Sequence, residues 1–148
     1  MRILQRATDA MDKVNLSNAF IRITEQWRPK VIGELNGQVV KLAKVKGEFV
    51  WHRHEHEDEL FLCVNGCLRI DFRDRSVELG PGEMIIVPHG VEHRTAADQE
   101  TQILLFTPAG VRNTGDIEHM YLTAPIDEQW DGGKEEVGDG QTGQEGNS

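Results

Sequence analysis

The chain has 148 residues, of which 38% are hydrophobic and 28% charged, and a formal net charge of −9. That length suits one core and is short for two, no apolar run approaches the about 20 residues of a membrane span, and the start lacks the charged, apolar and small-residue sections of a secretory leader, so the cytoplasm is the expected location. The acidity is unevenly placed: Asp127 to Ser148 hold seven acids against Lys134 and carry −6, which leaves −3 for the first 126 residues and no basic patch to support nucleic acid as the natural partner.

In chain order, Leu16, Phe20, Ile23 and Trp27 recur at i, i+4, i+7 and i+11. With Asn15 or Ser17 as a cap and Pro29 as a stop, the spacing predicts an amphipathic helix in an N-terminal segment, residues 1–30. A strand over Gln38 to Val45 follows and leads to Phe49-Val50-Trp51-His52-Arg53-His54, whose β-branched and aromatic residues favour extended backbone. His52 and His54 are two apart, so on a strand their imidazoles leave the same face and can converge on one ion. Glu59 opens the apolar run Leu60-Phe61-Leu62-Cys63-Val64, and Asn65-Gly66 is the dipeptide of a tight hairpin. A returning strand from Cys67 to Phe72 is therefore expected, with Leu68, Ile70 and Phe72 alternating with Arg69, Asp71 and Arg73 in the half-buried pattern of an antiparallel sheet. In that hairpin the thiols of Cys63 and Cys67 are out of register, so no disulfide is expected.

Val77 to Leu79, Met84 to Val87, His93 to Ala96 and Gln102 to Thr107 supply further short strands, the density of an all-β barrel or jelly roll. The run from Glu59 to Val64 is apolar on both faces. Its outer face could be covered by another protomer, by the N-terminal helix or by Asp116 to Thr123. From Asp127 onward, glycines interleaved with acids and amides cannot bury apolar surface, and the composition predicts a disordered acidic tail over 127–148.

Five of the six histidines fall in two blocks. The first runs from Gly47 through His52, His54 and Glu59 to Gly66; the second is Gly82, five residues, Pro88, His89, Gly90, two residues, His93. These blocks resemble the paired motifs of the cupin superfamily, and the fifteen residues from Cys67 to Pro81 that separate them resemble its shortest single-domain members. The likeness covers Val39 to Pro108. Gly47 stands one residue too close to His52 for the family pattern, and Ala97 occupies the place where the family usually has Asn. The resemblance implies a jelly-roll β-barrel over 31–126 with a short N-terminal helix, and a metal held by His52, His54, Glu59 and His93. His56 is expected at the barrel mouth, exposed; His89 is expected in an exposed turn, and His119 outside the site.

Three imidazoles and one carboxylate suit one divalent transition ion, Fe, Mn, Zn, Ni, Co or Cu, and leave coordination positions open. The resemblance points to a metal-dependent dioxygenase or isomerase acting on a small polar metabolite in the barrel, with Glu59 able to double as a base, and to a homodimer. Glu57 and His56 would contribute only if turned inward. The alternative is a non-catalytic module that binds a small molecule or a metal, since one fold hosts many functions.

Overall fold

A computed structural model describes residues 11–131. One helix, α1 (Leu16–Arg22), precedes seven strands: β1 (Lys30–Leu35), β2 (Gln38–Glu48), β3 (Glu59–Asn65), β4 (Leu68–Phe72), β5 (Ser76–Leu79), β6 (Met84–Val87) and β7 (His93–Pro108). All strand pairings are antiparallel, in the order β1-β2-β7-β3-β6, with β4 and β5 attached through β7. This is the all-β architecture expected of a jelly roll.

The long β7 organises the fold. The sequence suggests two short strands here, but one strand runs through both and each half serves a different neighbour. Its first half pairs with β4, from Phe72↔His93 to Arg69↔Ala96, and its second half with β3, from Leu60↔Phe106 to Asn65↔Gln102. β2 follows it along both halves, with a register shift between Val45 and Gly47. Such a shift adds a local kink and twist, and it falls at the glycine that is out of place in the family pattern.

The expected hairpin at Asn65-Gly66 is not formed, because β3 and β4 do not pair with each other. The chain instead crosses from one partner of β7 to the next. The Thr101 hydroxyl accepts the Cys67 N–H at 3.2 Å, so the corner satisfies its amide without a hairpin ladder. Gly66 has φ 103°, and a Cβ there would lie 2.5 Å from Thr101 Oγ1. The tight Asn-Gly hairpin is the other one: Asn36 (φ 51°) and Gly37 (φ 79°) join β1 to β2 with Leu35 opposite Gln38. Two consecutive positive φ values are what a two-residue type I′ turn requires. β1 was not anticipated, although this dipeptide announces it.

The helix is shorter than its periodicity suggests. Asn15 caps it by accepting the Asn18 N–H at 3.0 Å, and Ile23 ends it in an extended conformation. β-Branched Ile23 and Thr24 weaken helix, and the backbone beyond them finds partners on β2: Gln26 bridges Lys44, and Trp27, at φ 60°, donates its N–H to Lys44 O at 2.8 Å. Trp27 therefore leaves the helix and stacks on Phe49, with ring centroids 4.7 Å apart.

Two apolar clusters result. One fills the barrel and includes Val45, Phe61, Cys63, Leu68, Ile70, Val87 and Ile103. The other lies under α1, where Phe20, Ile23, Leu42 and Trp130 pack together with Val64 and Leu104 against them. The helix thus covers part of the outer face of β3, whereas Asp116 pairs with the backbone of Arg53 elsewhere. The tail begins later than its composition suggests. Val31 donates its N–H to Glu128 O at 2.7 Å and accepts the Trp130 N–H at 3.0 Å, Trp130 is buried, and Asp127 is buried against Lys41. Two apolar and charged anchors override the polar composition of residues 127–131, and the rest of the expected disordered segment lies outside the described residues. Among the described residues, no helix is long and apolar enough to cross a membrane. Cys63 is buried and Cys67 exposed, both free.

Candidate metal centre

His52 and His54 lie on the segment between β2 and β3, Glu59 begins β3 and His93 begins β7. The backbones of His52 and His93 form a reciprocal pair, His52 N to His93 O at 3.0 Å and His93 N to His52 O at 2.9 Å. Gly90 N donates to His54 O at 2.8 Å, tying the second histidine block to the first. The period-two spacing then directs His52 and His54 to one side, where Glu59 and His93 join them. One donor atom from each of the four lies within 4.8 Å of all the others, and all four residues are buried. That spread is close to what one ion with bonds of about 2 Å gathers.

The ring nitrogens are sorted by their outer partners. His52 Nδ1–H donates to Val50 O at 2.9 Å and His93 Nδ1–H to Val91 O at 3.0 Å. A carbonyl can only accept, so these bonds place the proton on Nδ1 and leave Nε2 with its lone pair turned inward, as in metal-ligating histidines. His54 Nε2, Glu59 Oε1 and His93 Nε2 are buried without a hydrogen-bond partner. Glu59 Oε1 stands 3.2 Å from His54 Nε2 and 3.6 Å from His93 Nε2. The first distance is short, but the two groups lack hydrogen-bond alignment, so the attraction is electrostatic. Buried polar atoms are rarely left this way, and an ion is one of the few occupants that satisfies all three.

The electrostatics favour ligation. Burial, with His93 adjacent, pushes His52 down to about 4, which keeps it neutral. Burial on its own would push Glu59 up, but the facing imidazoles of His54 and His93 bring it down to about 2 and keep it a carboxylate. Burial also pushes His54 down, yet the Glu59 carboxylate overrides it, and its pKa is raised.

His56 and His89 are exposed, as expected. His89 pairs with Asp58 through its ring, Nδ1 to Oδ1 at 3.1 Å. His119 is outside the cluster, where its Nδ1 accepts the N–H groups of Tyr121 and Leu122 at 3.1 Å. Glu57 is half-buried, close enough to His54 to contribute to raising its pKa.

A cavity of about 40 Å³ adjoins the cluster, lined by His52 and Glu59, by the apolar Trp27, Phe49, Phe61, Ile103, Leu105 and Val111, and by Lys41, Thr95, Thr107 and Asn113. Lys41 was missed in the sequence. Its signal is a lysine in the inward series Val39, Lys41, Ala43, Val45, hidden because Val40 and Leu42 make the other parity equally apolar. The residues after β7 close this region. Arg53 N donates to Asp116 Oδ1 at 3.0 Å and Asp116 N to Arg53 O at 3.1 Å. Between them Gly115, at φ 60°, is so close that a Cβ would clash with Arg53 O and lie 3.1 Å from His52 Cδ2.

The comparisons agree with this fold. The cupin-domain family model matches residues 38–108. A crystal structure of a cupin-2 domain protein from Shewanella frigidimarina is 43% identical, with TM-score 0.64, the match covering 64% of this chain and 93% of that one. A Neisseria meningitidis protein is 30% identical, with TM-score 0.61, covering 66% of this chain and all of that one. The Bacillus subtilis protein YdbB is 42% identical over 65 residues, 43% of this chain, and the matched region spans 58% of YdbB. The chain belongs to the cupin superfamily.

Proposed function

We propose that His52, His54, Glu59 and His93 hold one divalent transition-metal ion, and that the protein is a metal-dependent enzyme of the dioxygenase or isomerase type acting on a small polar metabolite. The observation that carries the metal reading is the convergence of three buried, partnerless donor atoms, His54 Nε2, Glu59 Oε1 and His93 Nε2. Four protein donors leave room on a six-coordinate ion, and the cluster adjoins a cavity rather than a closed core, which supports catalysis over a purely structural metal. The ion would supply Lewis acidity, or redox chemistry if it is Fe, Mn, Co or Cu. The protein's part is to orient a ligand against the polar groups Lys41, Thr95, Thr107 and Asn113 and to exclude bulk water with Trp27, Phe49 and Phe61. Glu59, an ionised carboxylate, is the candidate base if it releases the ion.

The test is reconstitution with Fe, Mn, Co, Ni, Cu and Zn separately, followed by oxygen-uptake and isomerisation assays on a panel of small oxygenated metabolites. Turnover with oxygen uptake, confined to redox-active ions, supports the dioxygenase. Turnover that persists with Zn supports the isomerase. Loaded protein that binds members of the panel without converting any supports the alternative, a non-catalytic binding module.

A homodimer is also proposed. Val40, Phe106, Leu60 and Ile86 form one outer cross-strand row, and Leu42, Leu104, Leu62 and Met84 the next. The helix covers the Leu42 end, while Met84 and Ile86 are 49% and 53% exposed. A second copy would cover the open end.

A further inference from the structure

Lys41 and Asp127 form a buried ion pair beside the cluster, Nζ to Oδ1 at 3.3 Å, with side chains 8% and 1% exposed. Lys41 lines the cavity and Asp127 does not. Lys41 is therefore part of the cavity wall, and its carboxylate partner lies behind that wall. Lysine carries three N–H donors, so a contact to Asp127 leaves donors for a second acceptor. Asp127 is itself fixed, since its Oδ2 accepts the Gly110 N–H at 2.8 Å. Both Gly110 and Asp127 lie beyond residues 38–108, the part matched by the family model. The segment that follows the common barrel thus delivers this carboxylate and sets the position of Lys41.

Resting on the metal ion proposed above, we propose that Lys41, positioned by Asp127, is the anion-recognition residue of the cavity and that the ligand is a compact monoanion, a carboxylate or enolate oxygen on a small apolar body. The charge count supports this class. A divalent ion brings two positive charges and Lys41 one, while Glu59 and Asp127 each bring one negative; one positive charge is left, and a monoanion neutralises it. An unbalanced charge in a low-dielectric site is costly, so a neutral ligand leaves the site unbalanced and a dianion overshoots. The volume supports compactness, since about 40 Å³ holds only about three water-sized groups. Trp27, Phe49, Phe61 and Leu105 offer the remaining surface to an apolar body.

The experiment uses full-length protein loaded with Co(II), titrated with acetate and propionate and, in parallel, with acetamide and propionamide. Calorimetry and the visible Co(II) spectrum are the readouts, and metal content is measured in every sample. The expected result is that the parent binds the carboxylates at least about tenfold tighter than the amides and that Lys41→Met weakens carboxylate binding by about tenfold or more at unchanged metal content. Lys41→Met leaves Asp127 buried alone. If it does not fold, Lys41→Met/Asp127→Asn, which buries no lone charge, takes its place with the same expected loss. Equal carboxylate affinity in parent and variant, both holding one metal, overturns the Lys41 site and leaves the metal reading standing. A parent that holds metal but shows no preference for carboxylates over amides does the same. A parent that takes up no metal overturns the metal reading, and the monoanion assignment falls with it.

Discussion

His54 faces the Glu59 carboxylate, and the proton its ring binds before the ion does has a measurable consequence. Glu59 raises the pKa of His54 above its ordinary value of 6.5, so near neutral pH a fraction of the protein carries a proton on the nitrogen the ion needs. Metal uptake must expel it, and apparent affinity should therefore rise with pH through the range where His54 titrates. Calorimetry in buffers of different ionisation enthalpy should detect proton release near neutrality, fading at higher pH. Release that does not change with pH would contradict the assignment. His52, lowered to about 4, contributes only in acid. Glu59→Gln removes the one anionic donor, and metal affinity should fall by about tenfold or more, checked by competition with a chelator. Away from the centre, burial alone would push Asp71 up, but Arg69, Ser76 and Arg94 hydrogen-bond it and hold its pKa at about 2. A carboxylate lowered in the folded state adds stability that is fully present above its ordinary value and is lost as pH falls through the folded one. Denaturant unfolding should thus show about 2 kcal/mol disappearing between roughly pH 4 and pH 2, a slope absent from Asp71→Asn.

Among the elements, the corner between β3 and β4 is the one whose geometry depends most on one residue. Gly66→Ala places a methyl against Thr101 and forces a side chain into positive φ, at a cost of about 1–3 kcal/mol, read as a lower urea midpoint with an unchanged slope. An unaltered midpoint would mean that the corner is not as close to β7 as described. The same corner shows where sequence reading reaches its limit. The strands β2, β3, β4, β5 and β6 were legible because alternation and turn residues are local signals. Which strand pairs with which was not, because Asn65-Gly66 and Asn36-Gly37 are the same dipeptide and only the tertiary competition for β7 tells them apart. The helix was legible in its cap and its first two apolar positions, but Trp27 met the helical spacing by coincidence. Of the four candidate ligands, His52 and His54 were legible as a pair from strand parity, and Glu59 and His93 joined them through the resemblance to the two family motifs. Lys41 and Asp127 were not legible, since they meet across 86 positions of sequence and no local pattern joins them.

For the molecule as a whole, the boundary between barrel and tail follows from packing rather than composition. A chain ending at Asp131 should keep the melting temperature and metal content of the parent, in line with the solvated tail that the composition suggests. A chain ending at Ile126 loses Asp127 and Trp130, exposes the cluster under α1 and leaves Lys41 buried without its carboxylate, a loss of about 3–5 kcal/mol. Equal melting of the two truncations would show that the last packed segment contributes nothing. Two strands' ends, a connecting segment and a closing C-terminal strap bring three imidazoles and a carboxylate within 4.8 Å of one another, where we propose they hold one ion. Elemental analysis of full-length protein, purified without an affinity tag or chelator beside a His52→Ala/His93→Ala variant, tests that most directly. The account predicts about one transition-metal ion per parent chain, with bonds of about 2 Å to nitrogen and oxygen in its absorption spectrum, and none in the variant. No metal in the parent, with none taken up on reconstitution, would contradict it.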